Sequence, residues 1–443
     1  MRGTVLTDGD EGFEQRCSGW NLLRAHRPSV VVAATGAHDV SVAVRFATDQ
    51  GIGLGVHATG HGMALPVDGV LIDTREMTGL MVDPDRRTAT IGAGCTWGEV
   101  LAVTQREGLA PLLGSSPTVG AVGYTLGGGL GWLARKHGAA CDTVRWFEVV
   151  TPDAAVRRVG PDEDPDLFRG LRGGGGAFGV VTAMEVDLVP VDTVYAGNLY
   201  YPPDRAADIA AAFGEWVSGV PDELTSSFVC QNAPPAPVFP EQIRGRSLVV
   251  VRGCWSGDLE QGEALLDEWR SQTSPLFDHW GAMSFADCAS ISADRIDPAP
   301  AVVTGEWIYR CDAGVGRALA EATFPVDDAP LLVFSEVRHL GGAVVRGDRS
   351  ATSFGHRDHP FFMNTVGVSI DRDPTPIADH QRQMLRSLGN AATGAAYLNY
   401  LDQDERRHRT GDAFEAGVRT RLAALQHRHD AGGLLRYGAD HRL

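Results

Sequence analysis

Short apolar runs and one amphipathic stretch alternate in the first third of the chain. Val30–Ala33 is an apolar run of strand length. His38–Gln50 then carries Val40, Val44 and Ala47 on one helical face, and Gly51 suits the helix end. Ile52–His57 reads as a second strand, so the pattern predicts a βαβ unit that runs straight into Ala58-Thr59-Gly60-His61-Gly62. Further strands are predicted at Val70–Asp73 and Thr88–Ile91. Thr96-Trp97-Gly98-Glu99 has capping-box spacing and opens a helix ending near Gly108. After Pro190 the texture changes. Helical periodicity marks Ala206–Val217, Leu259–Gln272, Ile377–Leu388 and a last helix near Ala413–His427. Strands are expected at Leu248–Arg252, Trp307–Arg310, Leu331–Arg338 and Thr365–Ile370. These describe an α+β unit from about 191 to 390. No repeat or low-complexity linker interrupts them.

Between the strands of the first part lie three glycine-rich places: 58–62, the run 114–131, and Gly173–Gly179 leading into Val180-Val181-Thr182. Glycine takes positive φ freely and lets a ligand approach the backbone without a Cβ in the way. Successive exposed N–H groups then form a concave anion site suited to a pyrophosphate. One such cluster would read as a tight turn, whereas three beside predicted strands point to an extended dinucleotide. A Rossmann site for NAD(P) fits less well. Gly127-Gly128-Gly129-Leu130-Gly131 lacks GxGxxG spacing, and Gly92-Ala93-Gly94 has its third glycine at 98.

Composition removes several classes. The 443 residues, 43% of them hydrophobic, can form two well-packed units. A net charge of -17 argues against nucleic acid or an anionic membrane as partner. No apolar stretch reaches the roughly 18 residues of a membrane span, and the N-terminus has no leader-like apolar segment. The seven cysteines are scattered without CxxC spacing, which reads as reduced intracellular thiols in a cytoplasmic protein. No HxH or HExxH pattern supports a metal. Lys136 is the only lysine, and no GK[ST] loop exists, so Walker-type hydrolysis is excluded.

Four segments in order then carry a resemblance. They are Val56–Gly62, the 114–131 run, Lys136-His137-Gly138-Ala139-Ala140-Cys141-Asp142, and Asp166-Leu167-Phe168 through Gly179-Val180-Val181-Thr182. From Arg27 to about Val191 the chain resembles the FAD-binding domain of the vanillyl alcohol oxidase / p-cresol methylhydroxylase (PCMH-type) superfamily, nearest its berberine-bridge-enzyme-like and 6-hydroxynicotine-oxidase-like oxidases. Tyr397-Leu398-Asn399-Tyr400 is similar to that family's C-terminal return to the flavin. The resemblance implies an α+β fold in three parts. Residues 1–190 would form the two-part FAD-binding domain, 191–390 a substrate domain on an antiparallel sheet, and 391–443 a segment packing back on the first.

It also implies site residues. Ala58, Thr59, Gly60, His61 and Gly62 would wrap the pyrophosphate, with His61 bonded covalently to the flavin C8 methyl. Ser116, Val119, Gly120, Gly123, Tyr124, Gly129, Gly131, Gly179, Val180, Asn399 and Tyr400 would complete the cofactor site. Doubly linked relatives carry a cysteine where this chain has Ser116, so a single link is expected. His57, Ala58 and Thr59 replace the family's usual arginine and two glycines. Val119 aligns with the position whose small side chain admits dioxygen, and Tyr397, with a lowered pKa, is the expected base. The implied activity is oxidation of a small organic molecule, with hydride passing to flavin N5 and reoxidation by dioxygen, in natural-product or small-molecule metabolism, by a monomer or homodimer. A flavin-containing cyclase without net oxidation and a non-catalytic flavin-binding protein stand as alternatives.

Overall fold

The computed structural model describes residues 1–439 except 24, 63–64, 237–239 and 326–328. Three larger sheets organise it. In the first, Val30–Ala33, Val70–Asp73 and Leu54–His57 lie parallel, and Thr4–Leu6 adds an antiparallel edge. Its strands Val30–Ala33 and Val70–Asp73 are almost wholly buried, as parallel strands covered on both faces must be. The helix Ala37–Gln50 connects the first strand to Leu54–His57 and ends on Gly51, at φ 66°. The second sheet is antiparallel, ordered Leu80–Asp83, Thr88–Gly92, Val180–Asp187, Val144–Val150, Val156–Val159. Thr96 closes the expected capping box with Glu99, and the helix Trp97–Thr104 tightens into a 3-10 turn before Gly108. One hydrophobic core joins both sheets, with Val32, Trp97, Phe147 and Phe178 at its centre.

The third sheet has eight strands. Its main path runs Phe277–Asp278, Thr193–Tyr201, Ser247–Trp255, Leu224–Asn232, Leu332–His339, Phe361–Val368, Ala301–Ile308. Every pairing in it is antiparallel. Helices Ala206–Trp216, Leu259–Thr273, Ala313–Thr323 and Thr375–Ser387 bury their apolar stripes against one face through Phe213, Leu266, Leu319 and Ile377. Strands Thr193–Tyr201 and Leu224–Asn232 and the helix Ala313–Thr323 are absent from the sequence-based expectation. Leu224–Asn232 reads Leu-Thr-Ser-Ser-Phe-Val-Cys-Gln-Asn, and its polar face conceals it from an apolar-run criterion. The strand expected at Trp307–Arg310 lies instead at Ala301–Ile308.

The C-terminal residues return to the first sheet. Leu54 N–H donates to Leu434 O at 2.8 Å and Leu65 N–H to Tyr437 O at 2.9 Å. Leu422 and Leu425 of the helix Ala416–His429 enter the first core. No strand forms around Tyr397–Leu401. Leu398–Tyr400 is a single 3-10 turn, so Tyr397 and Asn399 do not share a strand face. No helix of the described residues is long and apolar enough to cross a membrane.

Candidate functional site

A cavity of about 1290 Å³ opens between these layers. Its walls are the loops leaving Leu54–His57, the segments 114–127 and 175–181, the inner face of the eight-stranded sheet, and the turn at 397–400. The loop 58–62 starts at the C-terminal end of a parallel strand, where open α/β sheets place ligands. It is held from two sides. Trp20 N–H donates to Thr59 O at 2.7 Å, and Asn21 N–H to Gly60 O at 3.1 Å. The crossing at Gly60, φ +70°, is so close that a Cβ there would strike the Gly19 backbone. From the other side Gly120 N–H donates to Thr59 Oγ1 at 3.2 Å.

That framework fixes His61. Its ring stacks on Trp20, centroids 4.3 Å apart and planes 14° from parallel. Nε2 pairs with Thr118 Oγ1 at 2.8 Å, and Thr118 Oγ1 lies 3.2 Å from Ser116 Oγ. Nδ1 has no hydrogen bond among the described residues. Burial lowers the His61 pKa to about 4, so the imidazole is neutral at physiological pH and keeps a lone pair. His57, one strand position before the loop, is also driven down to about 4 by burial. Neither of its ring nitrogens has a hydrogen-bond partner among the described residues, and Asp73 Oδ1 is 4.0 Å away.

Most of the expected cofactor residues come together. Ala58, Thr59, Gly60, His61, Gly62, Ser116, Val119, Gly120, Gly123, Tyr124, Gly179, Val180, Tyr397, Asn399 and Tyr400 all line the cavity. Gly129 and Gly131 do not. A Cβ on Gly129 would meet the Tyr124 ring and, at 2.7 Å, the Ala140 Cβ, and one on Gly131 would collide with Leu113 O. These two are packing glycines. Gly123 is different, because a Cβ there would meet no protein atom within 4 Å and would stand in open space.

Across the cavity the 397–400 turn is knotted to the glycine run. Asn399 Nδ2 donates to Tyr124 O and to Tyr397 Oη, each at 3.0 Å. Gly129 N–H donates to the same Tyr397 oxygen at 2.9 Å. Tyr397 packs among Trp307, Phe354 and Phe362, and this burial raises its pKa despite the two donors. The lowered pKa expected of Tyr397 is therefore corrected. Desolvation of a phenolate outweighs two hydrogen bonds.

The eight-stranded sheet contributes a charged floor. Register places Ser227 opposite both Arg252 and Arg338, and Glu336 opposite Asn364. Glu336, fully buried, accepts from Arg252 Nη2 at 2.8 Å, Arg338 Nε at 2.9 Å and Asn364 Nδ2 at 3.1 Å. Burial alone would raise its pKa, but the two guanidiniums hold it well below the carboxylate range. Sequence reasoning places Glu336 and Arg338 in a family-like segment, Glu336–Ala343, whose histidines and arginines could line the substrate site, with a structural role expected for most of them. It passed over Trp20, Thr118 and Arg406, none of which belongs to a recognisable motif.

These features suit FAD. The cavity exceeds the roughly 300–1,000 Å³ typical of small-ligand sites, and Gly123 leaves a wall position open. Fold and site thus define a flavin-dependent oxidoreductase. Residues 28–160 match the FAD binding domain family. Over 99% of the chain and 96% of the relative, the sequence is 26% identical to (R)-6-hydroxynicotine oxidase of Paenarthrobacter nicotinovorans. An FAD-dependent monooxygenase of Fusarium proliferatum is 34% identical over 48% of the chain and 42% of that protein. Among solved structures, 6-hydroxy-D-nicotine oxidase of Arthrobacter nicotinovorans superposes with TM-score 0.85 at 24% identity, covering 99% of this chain and 98% of that one. Xylooligosaccharide oxidase of Myceliophthora thermophila C1 gives 0.86 at 19%, covering 99% and 96%. Residues 28–160 thus carry an FAD binding domain, and along nearly its whole length the chain is similar to FAD-dependent oxidases in sequence and in fold.

Proposed function

We propose that the protein oxidises a small organic molecule in small-molecule or natural-product metabolism, with FAD attached once, through His61. The observation that carries this reading is the neutral, wedged imidazole of His61 on the wall of a dinucleotide-sized cavity. Bound FAD supplies a two-electron acceptor for substrate hydride and a route for those electrons to dioxygen.

The chain's own residues do the rest. Thr118 occupies Nε2 of His61 and leaves Nδ1 as the nucleophilic nitrogen. Ser116 stands where a second link would need a thiol, and a hydroxyl cannot form the thioether. The backbone of 58–62 and Gly120 would hold the diphosphate, with Gly179 and Val180 on the same wall. Asn399 spends both amide hydrogens on Tyr124 and Tyr397, which aims its carbonyl oxygen as an acceptor. Tyr400 would pack beside the ring system, and Val119 leaves the small wall position through which dioxygen would pass. Tyr397, in its phenolate form, would take the proton of an oxidised alcohol or amine and become the phenol, and the two hydrogen bonds its oxygen accepts would stabilise that phenolate before the transfer.

A division into residues 1–190, 191–390 and 391–443 is supported by the sheets, since the first two close before Val191 and the eight-stranded one opens at Thr193. Seven unpaired, buried thiols favour a reducing compartment, the cytoplasm. The reading is tested on purified protein by its absorption spectrum before and after acid precipitation. Yellow colour retained by the pellet is expected, and a folded, colourless protein would overturn it. Bleaching under anaerobic substrate addition, followed by peroxide on readmitting air, separates an oxidase from a cyclase.

A further inference from the structure

Among the described residues, one guanidinium shielded in the cavity wall forms no ion pair. Arg406 belongs to the helix Gln403–Arg409, which is seated on the eight-stranded sheet by Glu405 and Thr304, Oε1 to Oγ1 at 2.9 Å. Its Nη2 donates to Leu398 O at 3.1 Å. Its Nε is shut off from solvent and has no hydrogen-bond partner among the described residues, and Nη1 makes no hydrogen bond there. The carboxylate of Asp402, which caps Glu405 N–H at 2.7 Å, attracts the guanidinium. Burial lowers the Arg406 pKa to about 10, partly offset by attraction to Asp402. The group is still a cation at neutral pH.

A buried, unpaired guanidinium is costly unless something satisfies it. Three of the other cavity arginines, Arg246, Arg295 and Arg372, are exposed to solvent, whereas the remaining two contrast with Arg406. Arg252 and Arg338 share Glu336, and Asp294 stands near them, bonded to Ser115 Oγ at 2.5 Å. That group of two arginines and two carboxylates is neutral as it stands. The whole wall holds six arginines against two aspartates, in a chain whose net charge is -17. The diphosphate of FAD would neutralise only part of this surplus, and it belongs at the glycine loops. Arg406 lines the same cavity as Val303 and Val366, which are directly paired across two strands and offer an apolar surface.

We infer that the substrate is an organic anion with an apolar body, a carboxylic acid in the simplest case, whose carboxylate pairs with Arg406 while its body lies on Val303 and Val366. The inference rests on the flavin reading of the same cavity. A guanidinium presents two parallel N–H groups to a carboxylate, and the outer edge, Nη1 with the second hydrogen of Nη2, is the fork left open here, since Nε is shut off from solvent.

The test is titration of the oxidised holoenzyme with benzoate and with benzamide, read from the perturbation of the flavin absorption band. Benzoate is expected to bind roughly ten- to a hundredfold more tightly than benzamide. Arg406→Gln should erase the difference, and Arg406→Lys should restore part of it. Equal binding of the two probes by the wild-type protein would overturn the inference without any variant. So would an Arg406→Gln protein that keeps the preference for benzoate, or one that shifts only the flavin midpoint potential, since the cation would then serve the cofactor. Absence of a flavin band would refute the underlying flavin reading and is visible before any titration begins.

Discussion

Thr118→Val tests the attachment chemistry most directly. Valine keeps the branched shape and deletes the Oγ1 that sits 2.8 Å from His61 Nε2. The neutral imidazole has one N–H, and when Nε2–H donates it to the Thr118 hydroxyl the lone pair is on Nδ1. Trp20 still stacks on the ring, so the plane of His61 survives the change. What is lost is one largely buried hydrogen bond, about 0.5–1.5 kcal/mol. Expressed as a barrier, that is roughly a two- to twelvefold slower covalent incorporation. The assay mixes apoprotein with FAD, quenches in acid at intervals and measures flavin fluorescence in the washed pellet. Thr118→Ser keeps the hydroxyl and should incorporate flavin at nearly the wild-type rate. If the valine variant incorporates at the wild-type rate, Thr118 does not select the nucleophilic nitrogen. If His61→Ala retains pellet fluorescence, the attachment point itself is wrong.

Three further outcomes follow from the same geometry. Because burial raises the Tyr397 pKa, a base at this position is protonated at neutral pH, and kcat/KM should climb about tenfold per pH unit between roughly pH 7 and 9. Tyr397→Phe should flatten that profile, and a wild-type plateau in this range would exclude Tyr397 as the base. His57 has a folded pKa of about 4 against an ordinary 6.5, so the unfolded chain binds the proton first. Its stability contribution is complete above the ordinary value and is lost as pH falls towards 4, about 3 kcal/mol in all. Urea unfolding of the holoenzyme across that range should show the loss, and His57→Gln should reduce it. Glu336→Gln removes the carboxylate shared by Arg252 and Arg338. It should cost about 3–5 kcal/mol in denaturant unfolding, since two buried cations lose their partner. A cost below 1 kcal/mol would mean that water already screens the pair.

Much of the cofactor side was legible because it is local. A parallel strand ending in a small-residue loop, a capping box four residues long and a glycine run each declare themselves within one short window. Thr96 and Glu99, and Gly51 at the end of its helix, behave as their spacing requires. The glycines were legible as a class, but their individual tasks were not. Gly123 faces open cavity while Gly131 abuts Leu113 O, and only the fold tells these apart. The tail motif was visible too, although its conformation was not. A strand-like alternation of Tyr397, Asn399 and Leu401 became a 3-10 turn because Tyr397 Oη is pulled to Gly129 and Asn399 to Tyr124, far away in sequence.

By itself the sequence determined an FAD-type site of small residues, the βαβ unit leading into it and the capped helix that follows. Local spacing and residue type suffice for those, since each depends on neighbours in the chain. The charged floor of the cavity was settled only by tertiary structure. Ser227, Arg252, Glu336, Arg338 and Asn364 come from four strands, and they meet because antiparallel register with a two-residue side-chain period turns them to one face. Arg406 looks like one basic residue in a charged helix, Gln403 to Arg409. Packing of that helix on the sheet makes it a shielded cation that forms no ion pair among the described residues. Charge in a sequence has a sign, but its energy depends on what surrounds it, and that is fixed only when distant segments close around it.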